Sequence, residues 1–345
     1  MEENMRTYVV WLVILTMILQ GTVPLAQNSR PLRPKSSHAF SDPDAIKHIH
    51  ALHTAGLQQD RAQLPALLAL VHDPTDHYTF YTAVHALARI GDPLALPALE
   101  AAIHQLARDP EPCAYAEVAR ARLLADAEAR RHSAHHAQVQ TRLTTFLDTL
   151  HLDAQTLNTT VAQDTKRLRD SDSEASTRAQ YALRELADMI YHPRDLALAE
   201  AAKTAGIDFT TDKDSQYKVQ LASLTSQQRV DWIIEELSNH RPAGKYGDLN
   251  LMQLAADEGK SASRAAGVRL LDMDKHRKRY TYPFGYFSHS GFTHMFRIIN
   301  AVGDTDQAPV VAHFLHDEDK WIAYYANQVY PDVKAGIPWK YRIGY

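Results

Sequence analysis

From Asp44 onward, apolar residues recur at the three- and four-residue steps of a helix, and almost no stretch alternates with a period of two. The pattern predicts an all-α chain. It also repeats. Ile49-His50-Ala51-Leu52, followed by Gly56, returns 35 residues later as Val84-His85-Ala86-Leu87, followed by Gly91. Leu64-Pro65-Ala66-Leu67 returns 32 residues later as Leu96-Pro97-Ala98-Leu99, a difference that implies a longer first linker. Asp73-Pro74 recurs as Asp109-Pro110 at an offset of 36. A two-helix unit repeating in the thirties predicts a stacked solenoid, because one such unit cannot bury its own apolar face. Within the unit, Gly91 suits the left-handed residue that ends a helix, and Asp92-Pro93 suits the cap and first turn of the next. Val302-Gly303-Asp304 followed by Ala308-Pro309-Val310-Val311 repeats that order near the other end. Asp257-Glu258-Gly259-Lys260 and Asp317-Glu318-Asp319-Lys320 precede two more amphipathic stretches, 263–273 and 322–330.

The stretches "ALARIGDPLALPALEAAI" (86–103), "SRAAGVRLL" (263–271) and "INAVGDTDQAPVVAHFLHDEDKW" (299–321) resemble the HEAT-repeat family, especially the short bacterial HEAT-like repeats also found in phycobilisome lyases. The resemblance covers residues 44–130 and 250–332. It implies an α-solenoid of HEAT-like helical hairpins used for protein binding or scaffolding. Tyr78 and Thr79 stand where the family usually carries a Val-Arg pair, so the family's inter-repeat ladder of Asp and Arg is not expected at that position. No lyase-specific motif is present to carry over.

Residues 113–192 contain neither proline nor glycine, which predicts long helices. Leu143, Leu147, Leu150, Ala154, Leu157, Val161 and Leu168 step by four and three, interrupted by Asp164. That stripe reads either as a coiled-coil arm or as two antiparallel helices packed on the solenoid, with Asp153 capping the second. Residues 203–228 are polar and weakly patterned, as a long loop or small insertion would be. The segment 275–296 stands out by composition. A basic run, Lys275 to Arg279, leads into Tyr280, Tyr282, Phe284, Tyr286 and Phe287, then Phe292, His294 and Phe296. Rings beside fixed cations suit a protein partner, a glycan or an anionic polymer. Arg277, Arg279, Tyr280, Tyr282, Phe284, Tyr286 and Phe287 are therefore the candidate partner-binding residues. The alternative is that they plug an open end of the stack. Trp339, Tyr341 and Tyr345 read as a capping tail.

Composition narrows the chemistry. A net charge of -4 argues against a nucleic-acid binder, and one cysteine, Cys113, rules out disulfides within the chain and cysteine zinc clusters. The 19 histidines require a test for metal binding. Glu128, His132, His135 and His136 lie at i, i+4, i+7 and i+8, one face of a predicted helix, but Arg130 and Arg131 oppose a cation. His132, His135 and His136 are thus weak metal candidates, and the expectation is no metal. His313 and His316 with Asp317 read as a helix C-terminus. Ser215-Gln216-Tyr217-Lys218 matches an SxxK pattern without the elements that accompany it in penicillin-binding enzymes. No phosphate-binding glycine loop or nucleophile elbow occurs, so no cofactor is expected. Cys113, after Pro112, reads as a small packed residue.

Residues 9–19 are an apolar run followed by Gly21, Pro24 and Ala26, as in a secretory signal peptide. Glu2 and Glu3 are unusual before such a run, and a start at Met5 removes them. The layout is then 1–26 signal peptide, 27–43 flexible linker, 44–130 N-terminal repeats, 131–230 helical middle, 231–332 C-terminal repeats and 333–345 tail. The functional expectation is an exported, periplasmic or secreted, non-catalytic scaffold of the cell envelope. The rivals are an envelope hydrolase, metal-assisted on a helical scaffold, and a structural protein anchored to the membrane by an uncleaved N-terminal segment.

Overall fold

The computed structural model describes residues 43–72, 77–166, 174–239, 247–280 and 290–338, all within one compact unit, Leu32–Tyr345. Seventeen α-helices and no strand occur among the described residues. They are α1 (Pro43–Leu57), α2 (Leu64–His72), α3 (His77–Ile90), α4 (Leu96–Gln105), α5 (Pro110–Ala129), α6 (His135–Thr149), α7 (Ala154–Lys166), α8 (Glu174–Tyr191), α9 (Leu196–Thr204), α10 (Lys213–Ala222), α11 (Ser226–Asn239), α12 (Gly247–Asp257), α13 (Lys260–Lys275), α14 (Arg277–Tyr280), α15 (Ser290–Val302), α16 (Ala308–Ala312) and α17 (Lys320–Ala335). One layer runs α1, α3, α5, α8, α10, α12, α15, α17, each packed on the next. The second layer covers it, with α2 against α4, α6 against α9 and α11 against α13. This is the all-α solenoid that the repeat predicts. The stack curls far enough that His53 of α1 meets Asp257 at the end of α12, Nε2 to Oδ1 at 3.0 Å with both side chains buried.

One local device recurs at the hairpins. Gln59, Gly91, Arg194 and Gly303 have φ of 53°, 69°, 56° and 66°, and each immediately precedes an aspartate. Asp60, Asp92, Asp195 and Asp304 then accept hydrogen bonds from the backbone N–H of Ala62, Leu94, Leu198 and Asp306. The left-handed residue turns the chain out of one helix, and the carboxylate satisfies an N–H at the start of the next. Asp60 and Asp92 fix the true repeat of the first two hairpins at 32 residues, which makes His53 equivalent to His85 and not, as the offset of 35 suggests, His50. Gly56 and Gly91 consequently do different work. Gly91 ends a helix, whereas Gly56 lies within α1, where a Cβ would sit 2.7 Å from the Cα of Ala86.

The middle of the chain resolves the heptad stripe. α6 stops at Thr149, His151 takes φ 55°, and Asp153 accepts from Thr156 N–H at 2.6 Å to start α7. Leu143, Leu147, Leu150, Leu157 and Val161 are buried in the common core, so among the described residues the stripe is two packed helices. Residues 203–228 are not the expected long loop. Asp208 caps a 3-10 turn, Phe209–Thr211, and Asp212 caps α10, whose Tyr217 and Leu221 enter the core. The described residues of 275–296 are helical apart from the turn at His276. Lys275 ends α13, α14 follows and α15 begins at Ser290, and Phe292 and Phe296 are fully buried against Phe314, with ring centroids 6.1 and 5.5 Å apart. His294 Nδ1 pairs with the Leu237 carbonyl at 3.0 Å.

The signal-peptide and linker expectations for 1–42, Tyr282, Phe284, Tyr286 and Phe287, and Trp339, Tyr341 and Tyr345 lie outside the described residues. No helix among the described residues is long and apolar enough to cross a membrane.

Candidate functional site

The inner layer converges on a buried charge seam. α8 carries Glu185 and Asp188 one turn apart and ends beside His192, so three polar groups at i, i+3 and i+7 share a face. α3 brings His85 and Arg89, also one turn apart, α5 brings Arg122 and α10 brings Lys218. Arg89 grips Asp188 with Nε to Oδ2 at 3.1 Å and Nη2 to Oδ1 at 2.9 Å. Arg122 Nη1 donates to Glu185 Oε1 at 2.5 Å and to Asp188 Oδ2 at 3.1 Å, and Lys218 Nζ donates to Asp188 Oδ1 at 3.1 Å. Asp188 is 0% exposed and is bound by cations from three other helices.

Electrostatics follows from that geometry. Burial pushes the Asp188 carboxyl up, but Arg89, Lys218, His192 and His85 outweigh it and hold the carboxyl well below its ordinary range. Glu185 is likewise opposed by burial yet brought down to about 2 by Arg122 and His85. Burial first, then Arg89, pushes His85 down to about 4 and His192 in the same direction, so both rings are neutral at pH 7. His192 Nε2 lies 2.6 Å from Arg89 Nη2. The same nitrogen is 3.1 Å from Asp188 Oδ1, so it stands between a guanidinium donor and a carboxylate acceptor.

A narrow cavity opens beside the seam, lined by His85, Tyr115, Tyr181, Arg184, Glu185 and Lys218 among others. Its volume of about 10 Å³ is room for one water at most. Tyr81, Tyr115 and Tyr181 stack alongside, with centroids 4.9 and 4.8 Å apart, and Tyr181 donates to Glu111 at 2.9 Å.

Among the described residues, His85, Glu185 and Asp188 are the three side chains whose ligand atoms gather within 4.8 Å, as a metal would require. The donor set does not fit a cation. Both carboxylates are already neutralised by Arg89, Arg122 and Lys218 at hydrogen-bond distance, and a divalent ion would enter among three fixed positive charges. The weak candidates His132, His135 and His136 are exposed and do not share one helix face, because α5 ends at Ala129 and α6 begins at His135. Glu128 pairs with Arg131 at 2.7 Å. His313 Nε2 meets Asp274 at 2.9 Å, just after α16.

The SxxK pair is drawn apart. The Ser215 hydroxyl donates to Asp212 at 2.8 Å, while Lys218 reaches Asp188. Cys113 is buried, with Sγ 3.7 Å from the Ile103 carbonyl. Of the partner-binding candidates, Tyr280 is 3% exposed and belongs to the core, receiving a hydrogen bond from Arg269 at 3.3 Å. Its ring is not available to a partner, because the short α14 folds it inward against α13. Arg277 is held by Asp274 and Asp317, and those two carboxylates keep its guanidinium above its ordinary range. Arg279 is exposed.

An Asp and Arg ladder exists away from the position the family favours. Arg142 of α6 joins Asp126 of α5 at 2.5 Å to Asp195, the cap of α9, at 3.1 Å. With hairpins, caps and ladder in place, the comparison with family models is decisive for the first part of the chain: residues 36–110 match the model of HEAT repeats. Those residues are HEAT repeats. No curated protein and no solved structure matches the chain. HEAT repeats form helical scaffolds that commonly mediate protein–protein contacts, and the family is generally non-catalytic.

Sequence reasoning missed the seam. Its members are 99 residues apart along the chain for Arg89 and Asp188, and no short spacing links them. The available signal was His85 and Arg89 within 83–90, where every other residue is Ala, Val, Leu or Ile.

Proposed function

We propose that the protein is an exported, non-catalytic scaffold of the cell envelope that binds a protein partner. The observation that carries this reading is the continuation of the HEAT hairpin device from 36–110 to Gly303-Asp304, which gives a body already ordered before binding. The apolar run 9–19 followed by Ala26 supports export. A contact surface is offered at the last helix. Trp321 and Tyr324 of α17 are each 49% exposed with rings 6.1 Å apart, and Tyr325 lies 5.4 Å from Tyr324. Arg277 ties the basic segment to Asp317, in the loop that leads into α17, so Arg279 belongs to the same end of the stack.

Affinity capture from the envelope fraction of the native cell tests this. A partner recovered with the wild-type chain and lost with Trp321→Ala/Tyr324→Ala or with Tyr282→Ala/Phe284→Ala, at unchanged helical circular dichroism, is the expected result. Equal recovery with both variants would remove the proposed surface. The mass of the native N-terminus tests export separately: cleavage near Ala26 is expected, and an intact N-terminus would favour a membrane anchor.

A further inference from the structure

We infer that the cavity between α15 and α17 is a site for the carboxylate end of a peptide chain. The repeat itself points there. The capping aspartates Asp60, Asp92, Asp195 and Asp304 align four hairpins, and the residues seven places before them are His53, His85, Asp188 and Arg297. Each of the four can carry a charge. In the first three hairpins that side chain is buried among partners within the stack: His53 with Asp257, His85 beside Glu185, and Asp188 with Arg89, Arg122 and Lys218. The last hairpin differs. Within 291–300 Arg297 is the one residue that is not buried, and it lines a cavity of about 330 Å³. At the repeat position that elsewhere ties the stack to itself, α15 therefore presents a cation to an open volume.

The walls set what fits. Phe296, Arg297 and Asn300 of α15 and Tyr325, Gln328 and Val329 of α17 line the cavity, among others. Its volume is at the low end for small-ligand sites, which start at about 300 Å³, so it suits one residue and not a folded element. The planar guanidinium of Arg297 matches a carboxylate through two parallel N–H donors. Phe296 and Val329 are buried and give an apolar floor for a side chain, with the Tyr325 ring beside it. Asn300 is the independent sign of a ligand. It is 1% exposed and its amide hydrogen-bonds Asp332, yet its Oδ1 accepts no hydrogen bond. An unanswered acceptor in a buried wall is costly, and the last N–H of a peptide, next to its carboxylate, is the donor that answers it. A free amino acid would instead bring an ammonium close to Arg297. Gln328 donates to the Tyr324 hydroxyl at 2.6 Å, which joins the rim of the cavity to the exposed pair Trp321 and Tyr324. The inference thus rests on the partner-binding reading and names the part of the partner that is gripped.

Calorimetry on the full chain with acetyl-glycyl-glycyl-phenylalanine, at about pH 7.5 where its carboxylate is ionised, tests the site without a partner. The tripeptide is expected to bind, and its C-terminal amide to bind at least about tenfold more weakly, because a neutral end forfeits the charge-assisted pair with Arg297. An ester analogue whose last N–H is replaced by oxygen should also bind more weakly, since Asn300 Oδ1 then stays unanswered. Arg297→Gln should lose binding of the acid by the same factor at unchanged helical circular dichroism, and Arg297→Lys should recover part of it. No binding of the tripeptide, or equal binding of acid and amide, would overturn the inference whatever the variants do. Failure of the partner reading is seen separately in affinity capture. A partner kept by Arg297→Gln but lost by Trp321→Ala/Tyr324→Ala would leave the α17 surface in place and overturn the chain-end site.

Discussion

Arg89 and Asp188 stand 99 residues apart in sequence and meet through two nitrogen–oxygen contacts, at 3.1 and 2.9 Å, with side chains 4% and 0% exposed. Two charges leave water for this contact, and their attraction offsets that loss only because each finds further partners. Asp188 gains Arg122 and Lys218, and Arg89 gains His192. The pair therefore acts less as a source of stability than as a fixed register between the α3 and α8 hairpins: any slip leaves a charge buried alone.

Acid should weaken the fold in two stages with the same sign. Between about pH 6.5 and 4, an unfolded His85 binds a proton that the folded ring, held at about 4, refuses, so stability falls as pH falls across that window. The loss approaches about 3 kcal/mol and stops below the folded value. Glu185, brought from 4.5 to about 2, contributes stability that is complete above 4.5 and is lost as pH falls through 2. Urea unfolding at a series of pH values measures the slope. In His85→Gln the upper stage should shrink to the part that His192 contributes, while the lower one persists.

Glycine replacements separate conformation from crowding. Gly91→Ala places a side chain at φ 69° with nothing closer than 3.8 Å, so its cost should be the backbone penalty alone, about 1–2 kcal/mol. At Gly303 the φ is 66° and a Cβ would also come within 2.8 Å of Pro338 N. Gly303→Ala should cost clearly more than Gly91→Ala in thermal unfolding, and equality would mean that the chain shifts freely there.

The capping aspartates should behave as a set. Asp92→Ala and Asp60→Ala each remove a carboxylate that satisfies an N–H at a helix entry, a loss of about 1 kcal/mol apiece. Asp92→Asn keeps an acceptor and should recover most of the stability in the same melting experiment.

Zinc should not stabilise the protein. His85, Glu185 and Asp188 are close enough to share an ion, but Arg89, Arg122 and Lys218 occupy both carboxylates. The melting temperature should be the same with added zinc and with a chelator. A rise of several degrees with zinc, lost in His85→Gln, would restore the metal-assisted reading.

The helical hairpins were legible because their marks are local. Gly91-Asp92 and Gly303-Asp304 announce a left-handed residue and a cap, and the apolar spacing around them sets the helices. The same device at Gln59-Asp60 and Arg194-Asp195 carries no glycine, so it was invisible, and the first repeat was aligned three residues out of place. α10 was hidden because its sequence, KDSQYKVQLA, buries only Ser215, Tyr217, Leu221 and Ala222, too few to print a helical stripe against a polar background. Tyr280 looked like a binding ring because composition counts aromatics without saying which way a short helix turns them. The seam was least legible. It depends on α3, α5, α8 and α10 meeting in space, and pairings across 30 to 103 residues leave no trace in spacing.

A double-mutant cycle on Arg89 and Asp188 tests the register claim most directly. Arg89→Met and Asp188→Leu should each cost about 3–5 kcal/mol in urea unfolding, because each removes one partner of a buried charge pair, while the double variant should cost much less than the sum. A coupling energy near zero, with the two single losses simply adding, would contradict the account.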